Sequence, residues 1–265
     1  MKKAISFLLA GALTASAVIT SFGAALGEYT PEDVLNNLAA EEELAADVDE
    51  QALNGTARLV EMVAGICSVG ADEDQLANLT ANVADLQETL ADDTLETDVK
   101  LGFAACEALN VFETLAREID ASGAHAADLD EIRNAFQTDA DAVTTGDEQY
   151  VNALRYTVFM AAYCAMSSCS TQEEAEQIAA GIENYNTDWA DAEGDVRKQV
   201  ASRWLYKMIG ALVKLQTPDN ADAIDTITEE TEALAGEAQG PKQASVNWLY
   251  SAVRAVYGLA GTITV

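Results

Sequence analysis

The sequence predicts an all-α chain: helical hairpins of about 46–50 residues stacked as a short α-solenoid, with a closed multi-helix bundle as the alternative. Three observations carry this. Ala, Leu, Glu and Asp dominate, and runs of β-branched residues are scarce. Segments that are apolar around most of a helical circumference recur at a near-constant spacing. Between them lie acidic segments with one narrow apolar stripe each.

The apolar segments align as five copies: "ARLVEMVAGIC" from Ala57, "FAACEALNVFE" from Phe103, "RYTVFMAAYCA" from Arg155, "RWLYKMIGALV" from Arg203 and "NWLYSAVRAVY" from Asn247. Their starts are separated by 46, 52, 48 and 44 residues. The doubled Trp-Leu-Tyr of the last two copies is the clearest trace of the repeat, with Trp204 and Trp248 at equivalent positions. Residues two apart on a helix point to nearly opposite sides, so Trp and Tyr of one copy do not form a box. These rings are expected to pack between consecutive hairpins. Four acidic helices fall between the copies, roughly at 72–90, 126–136, 171–185 and 219–234.

A hairpin that cannot bury its apolar surface alone stacks on its neighbours. The apolar helices are therefore expected inside and the acidic helices outside, in water. The repeat length suits a hairpin solenoid of the general HEAT type, but that family's residue signature is absent, so the inference stops at architecture. Local signals agree. Thr30-Pro31 and Thr217-Pro218 read as helix openings, Ser170 to Glu173 as a capping box, and Gly70 and Gly123 as C-terminal caps.

The expected layout begins with a signal peptide over 1–27, where Lys2 and Lys3 precede an uncharged run that ends in Ala25-Leu26-Gly27. Left uncleaved, that run would be a membrane anchor. A single all-α repeat domain follows over 28–265. It has a capping helix at 30–45, hairpins at about 49–96, 97–146, 147–194 and 195–240, and a final helix at 241–265. The expected location is secreted or in the cell envelope.

The formal charge is −31, and losing Lys2 and Lys3 with the leader makes it −33. Such a surface repels nucleic acid and anionic membrane. The charge is also divided between the layers. Residues 71–93, 170–194 and 217–240 each hold seven acids and no base. Of the twelve Lys and Arg beyond the leader, only Arg133 lies in an acidic helix. The others concentrate toward the C-terminal half. Arg203 and Lys207, then Arg254 one copy on, mark the least apolar side of their helices, flanked by Trp204 and Trp248. If the stack is curved, that side is expected to line its inner surface. These five residues are the candidate ligand-binding set, suited to an anionic extracellular ligand or envelope component. The competing reading is that the bases pair with the acidic helices.

Other chemistry is thin. Four cysteines, Cys67, Cys106, Cys164 and Cys169, allow three disulfide connectivities in an exported chain, while their apolar surroundings equally suit buried thiols. The acidic connections, with Asp92, Asp139, Asp141, Asp188 and Asp195 among them, offer weak calcium association but no EF-hand loop. No cofactor is expected. His125 is the one histidine and sits in a turn. No nucleophile motif or phosphate loop occurs. The expectation is an exported, non-catalytic helical-repeat protein that binds or scaffolds an extracellular ligand. The alternatives are a structural, salt-adapted surface protein and a wall or glycan hydrolase working through carboxylates.

Overall fold

The computed structural model describes residues 30–45 and 47–263. The signal segment expected over 1–27 lies outside them. The described residues form helices α1 (Pro31–Leu44), α2 (Val48–Ser68), α3 (Glu73–Ala91), α4 (Thr97–Ile119), α5 (Ala126–Ala140), α6 (Gly146–Ser168), α7 (Gln172–Asp191), α8 (Asp195–Gln216), α9 (Ala221–Glu237) and α10 (Pro241–Ala260). One 3-10 turn, Pro218–Asn220, precedes α9. No strand occurs among the described residues. None of their helices is long and apolar enough to cross a membrane.

The two helix types separate as the sequence predicts. The apolar helices α2, α4, α6, α8 and α10 are buried over about half of their residues or more. The acidic helices α3, α5, α7 and α9 bury a few positions each, such as Leu79, Val83 and Leu86 on α3. Each inner helix packs on the next in chain order. The row also curves until α10 packs against α2, so its two ends meet. Of the two expected arrangements the closed one is found: a ring of five inner helices.

The inner helices run parallel. Near their N-termini, Lys242 of α10 bonds Asp49 of α2 at 2.8 Å, and Lys198 of α8 bonds Asp147 of α6. Near their C-termini, Gln216 of α8 donates to Ser168 of α6, and Thr217 just past α8 donates to the Gly258 carbonyl of α10. Parallel packing this close needs small residues at the contacts. A Cβ on Gly102 of α4 would stand 2.7 Å from the Gly146 carbonyl oxygen of α6. On Gly55 of α2 it would stand 2.8 Å from the Tyr250 ring of α10.

The helix α1 has a larger role than the terminal cap expected from its sequence. It packs on both α2 and α10. Val34 and Leu38 are buried, Arg58 of α2 bonds Glu41 at 2.5 Å, and Tyr257 of α10 bonds Glu32 at 2.8 Å. It therefore serves as the fifth outer helix and covers the seam where the ring closes. Each of these buried aliphatic side chains contributes about 2 kcal/mol relative to exposure.

Local signals fix the helix ends, with shifts from expectation. Thr30 caps α1 in a reciprocal capping box with Asp33. The box before α7 lies one residue later than its sequence suggests, at Thr171 and Glu174. Thr217-Pro218 opens the 3-10 turn rather than α9 itself. Gly123 has φ +64°, as a left-handed cap requires, but Gly70 does not reach positive φ. The reversals into α8 and α10 instead use Gly194 at φ +52° and Gly240 at φ +135°.

Candidate functional site

The residues of the predicted basic face divide into two groups. Arg203, Trp204 and Lys207 lie together on the strip of α8 between α7 and α9. Arg203 and the Trp204 indole Nε1–H both bond Asp188 of α7, at 2.5 and 2.7 Å. The Lys207 ammonium stands over the Trp204 ring, 4.9 Å from its centroid. Arg254 lies apart on α10, paired with Glu230 of α9 at 3.1 Å. Trp248 is buried and packs on Tyr206, with ring centroids 5.4 Å apart. The inner-surface placement is corrected. Arg203 and Arg254 face the outer helices, because their carboxylate partners Asp188 and Glu230 sit there.

The pairing of Arg203 repeats one copy earlier. Arg155 and the Tyr156 hydroxyl both bond Asp139 of α5, at 3.0 and 2.7 Å. In each case an Arg and the aromatic residue after it share one carboxylate of the preceding outer helix. Aromatic rings link these two units into a ladder from Phe136 through Tyr156, Phe159 and Tyr185 to Trp204. Arg155 and Arg197 each stand 5.3 Å from the Trp189 ring centroid. Edge-on and tilted contacts of this kind add about 0.5–1.5 kcal/mol beyond area burial.

Lys207 differs from the other cations. Among the described residues it is the one Lys or Arg with neither an ion pair nor a hydrogen bond. The rest hold carboxylates or, for Lys100 and Arg197, backbone carbonyls. Burial and the nearby Arg203 guanidinium hold its pKa below the ordinary lysine value, against the opposing pull of Glu232 and Asp188.

The N-terminal end of the ring is the other charged feature. Asp49, Asp98, Asp147 and Asp195 stand in the first turns of α2, α4, α6 and α8, where helix dipoles favour anions. On α10 the corresponding charge is Lys242, bonded to Asp49. Lys198 is buried and bonds both Asp147 and, at 3.2 Å, Asp195. Deeper in the ring the buried Tyr150 hydroxyl lies beside Thr56, Ser202 and Ser245, and the two serines bond each other at 2.7 Å.

The acidic connections are occupied by their own structure. Asp92 accepts from Thr94, Glu148 from Thr144, and Asp139, Asp147, Asp188 and Asp195 hold cations. Among the described residues no three His, Cys, Asp or Glu gather as a metal site. His125 stands just before α5, with its backbone N–H on Asp120 and Nδ1 3.5 Å from Asp128. All four cysteines are free thiols, Cys67 and Cys164 buried and Cys106 and Cys169 half-buried.

Sequence reasoning passed over two places. Glu118, on the last turn of α4, has a buried Oε1 with no hydrogen-bond partner, and burial pushes its carboxyl up to about 8. The second is a cleft between α4, α5 and α6, of about 230 Å³, lined by Cys106, Phe136, Ala140, Val143, Gln149 and Asn152. Neither has a local motif, since each is assembled from different helices.

Compared with known proteins, the chain matches no family model, no curated protein and no solved structure.

Proposed function

We propose that the chain is an exported, non-catalytic helical-repeat protein that binds a carboxylate-bearing ligand outside the cell or in its envelope. The observation that carries this reading is Lys207. On a chain with 45 acids and 14 bases, a cation without an anion of its own is the exception. Its place over Trp204 and beside Arg203 gives a ligand carboxylate a charge partner in the ammonium, the Arg203 guanidinium as a second cation nearby and an aromatic wall. The surrounding acidic helices weaken the attraction of any long polyanion, so the ligand is small or presents a single acidic end. The same field argues against nucleic acid.

Trp204 and Trp248 support the strip by packing, and Arg254 sets the charge on the far side of α9. Calorimetric titration with glucuronate and with acidic dipeptides tests the reading. Lys207→Glu is expected to abolish carboxylate binding, while Lys214→Glu, at an exposed pair with Asp225, is expected to leave it in place. Equal binding by wild type and Lys207→Glu would end the proposal. Export is a separate matter, checked by the intact mass of the chain recovered outside the cell, which is expected to begin at Glu28.

A further inference from the structure

Two cationic donors on the strip of α8 are free among the described residues. Arg203 gives Asp188 its Nη2, while its Nη1 makes no hydrogen bond. The Lys207 Nζ makes none either. Of the unpartnered nitrogens on these two side chains only Arg203 Nε is fully buried, so Nη1 and Nζ both meet solvent. The residues are one helical turn apart, and neighbours at that spacing lie side by side. Both charges stand against one ring: Lys207 Nζ is 4.9 Å and Arg203 Cζ 6.0 Å from the Trp204 centroid. The bond from Trp204 Nε1–H to Asp188 fixes that ring in turn.

The neighbouring acids limit the chemistry of this place. Asp188 pairs with Arg203, and the charges of Glu232 and Asp188 act on Lys207. One added negative charge is balanced there by Lys207, and a second is not. Acylation or carbamate formation at Lys207 would remove the cation that these acids face. Imine formation keeps the nitrogen cationic, and an iminium over Trp204 retains the cation–ring contact. Burial and the Arg203 charge lower the Lys207 pKa, which enlarges the uncharged, nucleophilic fraction of the amine.

We infer that Lys207 captures a small 2-oxo acid as an imine, with the ligand carboxylate held on Arg203 Nη1. This deepens the carboxylate-binding reading of the same strip and rests on it. The Lys207 nitrogen lone pair attacks the carbonyl carbon. The carbonyl oxygen takes up the proton that the nitrogen releases, which gives a carbinolamine. Its hydroxyl then leaves with a solvent proton as water, and the nitrogen keeps one hydrogen as a cationic iminium. No electron donor or acceptor is required, and water reverses the step.

The test traps the iminium on the full chain with sodium cyanoborohydride and reads the labelled lysines by peptide mass mapping. Lys214, on the same helix and paired with Asp225, is the internal reference. The probes are pyruvate and acetone, a ketone without the carboxylate. The ratio of Lys207 to Lys214 labelling cancels their different reactivities. That ratio is expected to be about tenfold higher with pyruvate, the contribution of one hydrogen bond to a charged carboxylate. Isobutyrate, which has the shape of pyruvate but no electrophilic carbonyl, is expected to suppress pyruvate labelling at Lys207 saturably and to leave Lys214 unchanged. Arg203→Gln is expected to bring the pyruvate ratio down to that of acetone. Should Arg203→Gln fail to fold by circular dichroism, the isobutyrate competition decides in its place. Equal ratios for pyruvate and acetone would overturn the inference, as would labelling at Lys207 that isobutyrate does not suppress. Glucuronate binding that Lys207→Glu abolishes, without preferential pyruvate labelling, sinks the imine alone. Loss of both ends the two proposals together.

Discussion

Lys242 and Asp49 are 193 residues apart in sequence and bonded at 2.8 Å, across the seam between the last inner helix and the first. The acids around Lys242 come from three helices: Asp49 on α2, Asp147 on α6 and Asp195 on α8. A lysine in the first turn of a helix is opposed by the helix dipole. Here these carboxylates offset that: the bond to Asp49, with the charges of Asp49, Asp195 and Asp147, raises the Lys242 pKa. The seam thus joins an otherwise unfavourable cation to a ring of helix-terminal acids.

The closest inner contact gives the first prediction. A Cβ on Gly146 would run into the Asp98 carbonyl and stand 2.7 Å from Val99 N. Those are backbone atoms, which cannot swing aside. Gly→Ala within a helix normally gains about 1 kcal/mol. At this position the sign reverses, and Gly146→Ala is expected to cost about 1–3 kcal/mol through overpacking. Urea unfolding monitored by circular dichroism measures it. Gly55→Ala should cost less, because the atoms it meets belong to the Tyr250 side chain.

Stability is also expected to fall with rising pH through Glu118. Its folded pKa of about 8 lies above the ordinary 4.5. A carboxyl raised on folding adds full stability below its unfolded pKa, and that stability is lost as pH climbs through the folded value. The loss therefore runs from about pH 4.5 to about pH 8. Glu118→Gln keeps the neutral form at every pH and should unfold at higher urea than wild type at pH 9, with little difference at pH 4. A wild-type advantage at pH 9 would contradict the assignment.

The shared carboxylates Asp139 and Asp188 should behave alike, since each accepts from an Arg and from the aromatic residue after it. Asp188→Ala and Asp139→Ala are each expected to cost about 1–2 kcal/mol, as both pairs are partly exposed. The tryptophan fluorescence of Trp204 should shift only in Asp188→Ala, which removes the partner of its Nε1–H.

The helical class, the two helix types and the inner and outer layers were legible because each depends on local pattern. Leu205 to Val213 is apolar around most of its circumference, Lys207 excepted, and that demands burial wherever the chain goes. Closure was not legible. It depends on the small rotation from one hairpin to the next, accumulated until Tyr250 meets Gly55, and no single copy encodes that sum. The role of α1 follows from closure, since an outer helix is needed where α10 has none after it. The candidate set Arg203, Lys207, Arg254, Trp204 and Trp248 was chosen from a helical stripe. That pattern gives the side of the helix but not its neighbours, so the competing reading of bases paired with acidic helices could not name Asp188 and Glu230 as the partners of two of them.

Ring closure is the claim on which the rest of the architecture depends, and carbodiimide cross-linking tests it most directly. The reagent joins a carboxylate to an amine with no spacer, so it reports pairs already in contact. Applied to the dilute monomer and read by peptide mass mapping, it is expected to yield an Asp49–Lys242 amide alongside the local Lys214–Asp225 product. Recovery of Lys214–Asp225 with no link from Lys242 to Asp49, Asp147 or Asp195 would mean that the row of hairpins is open.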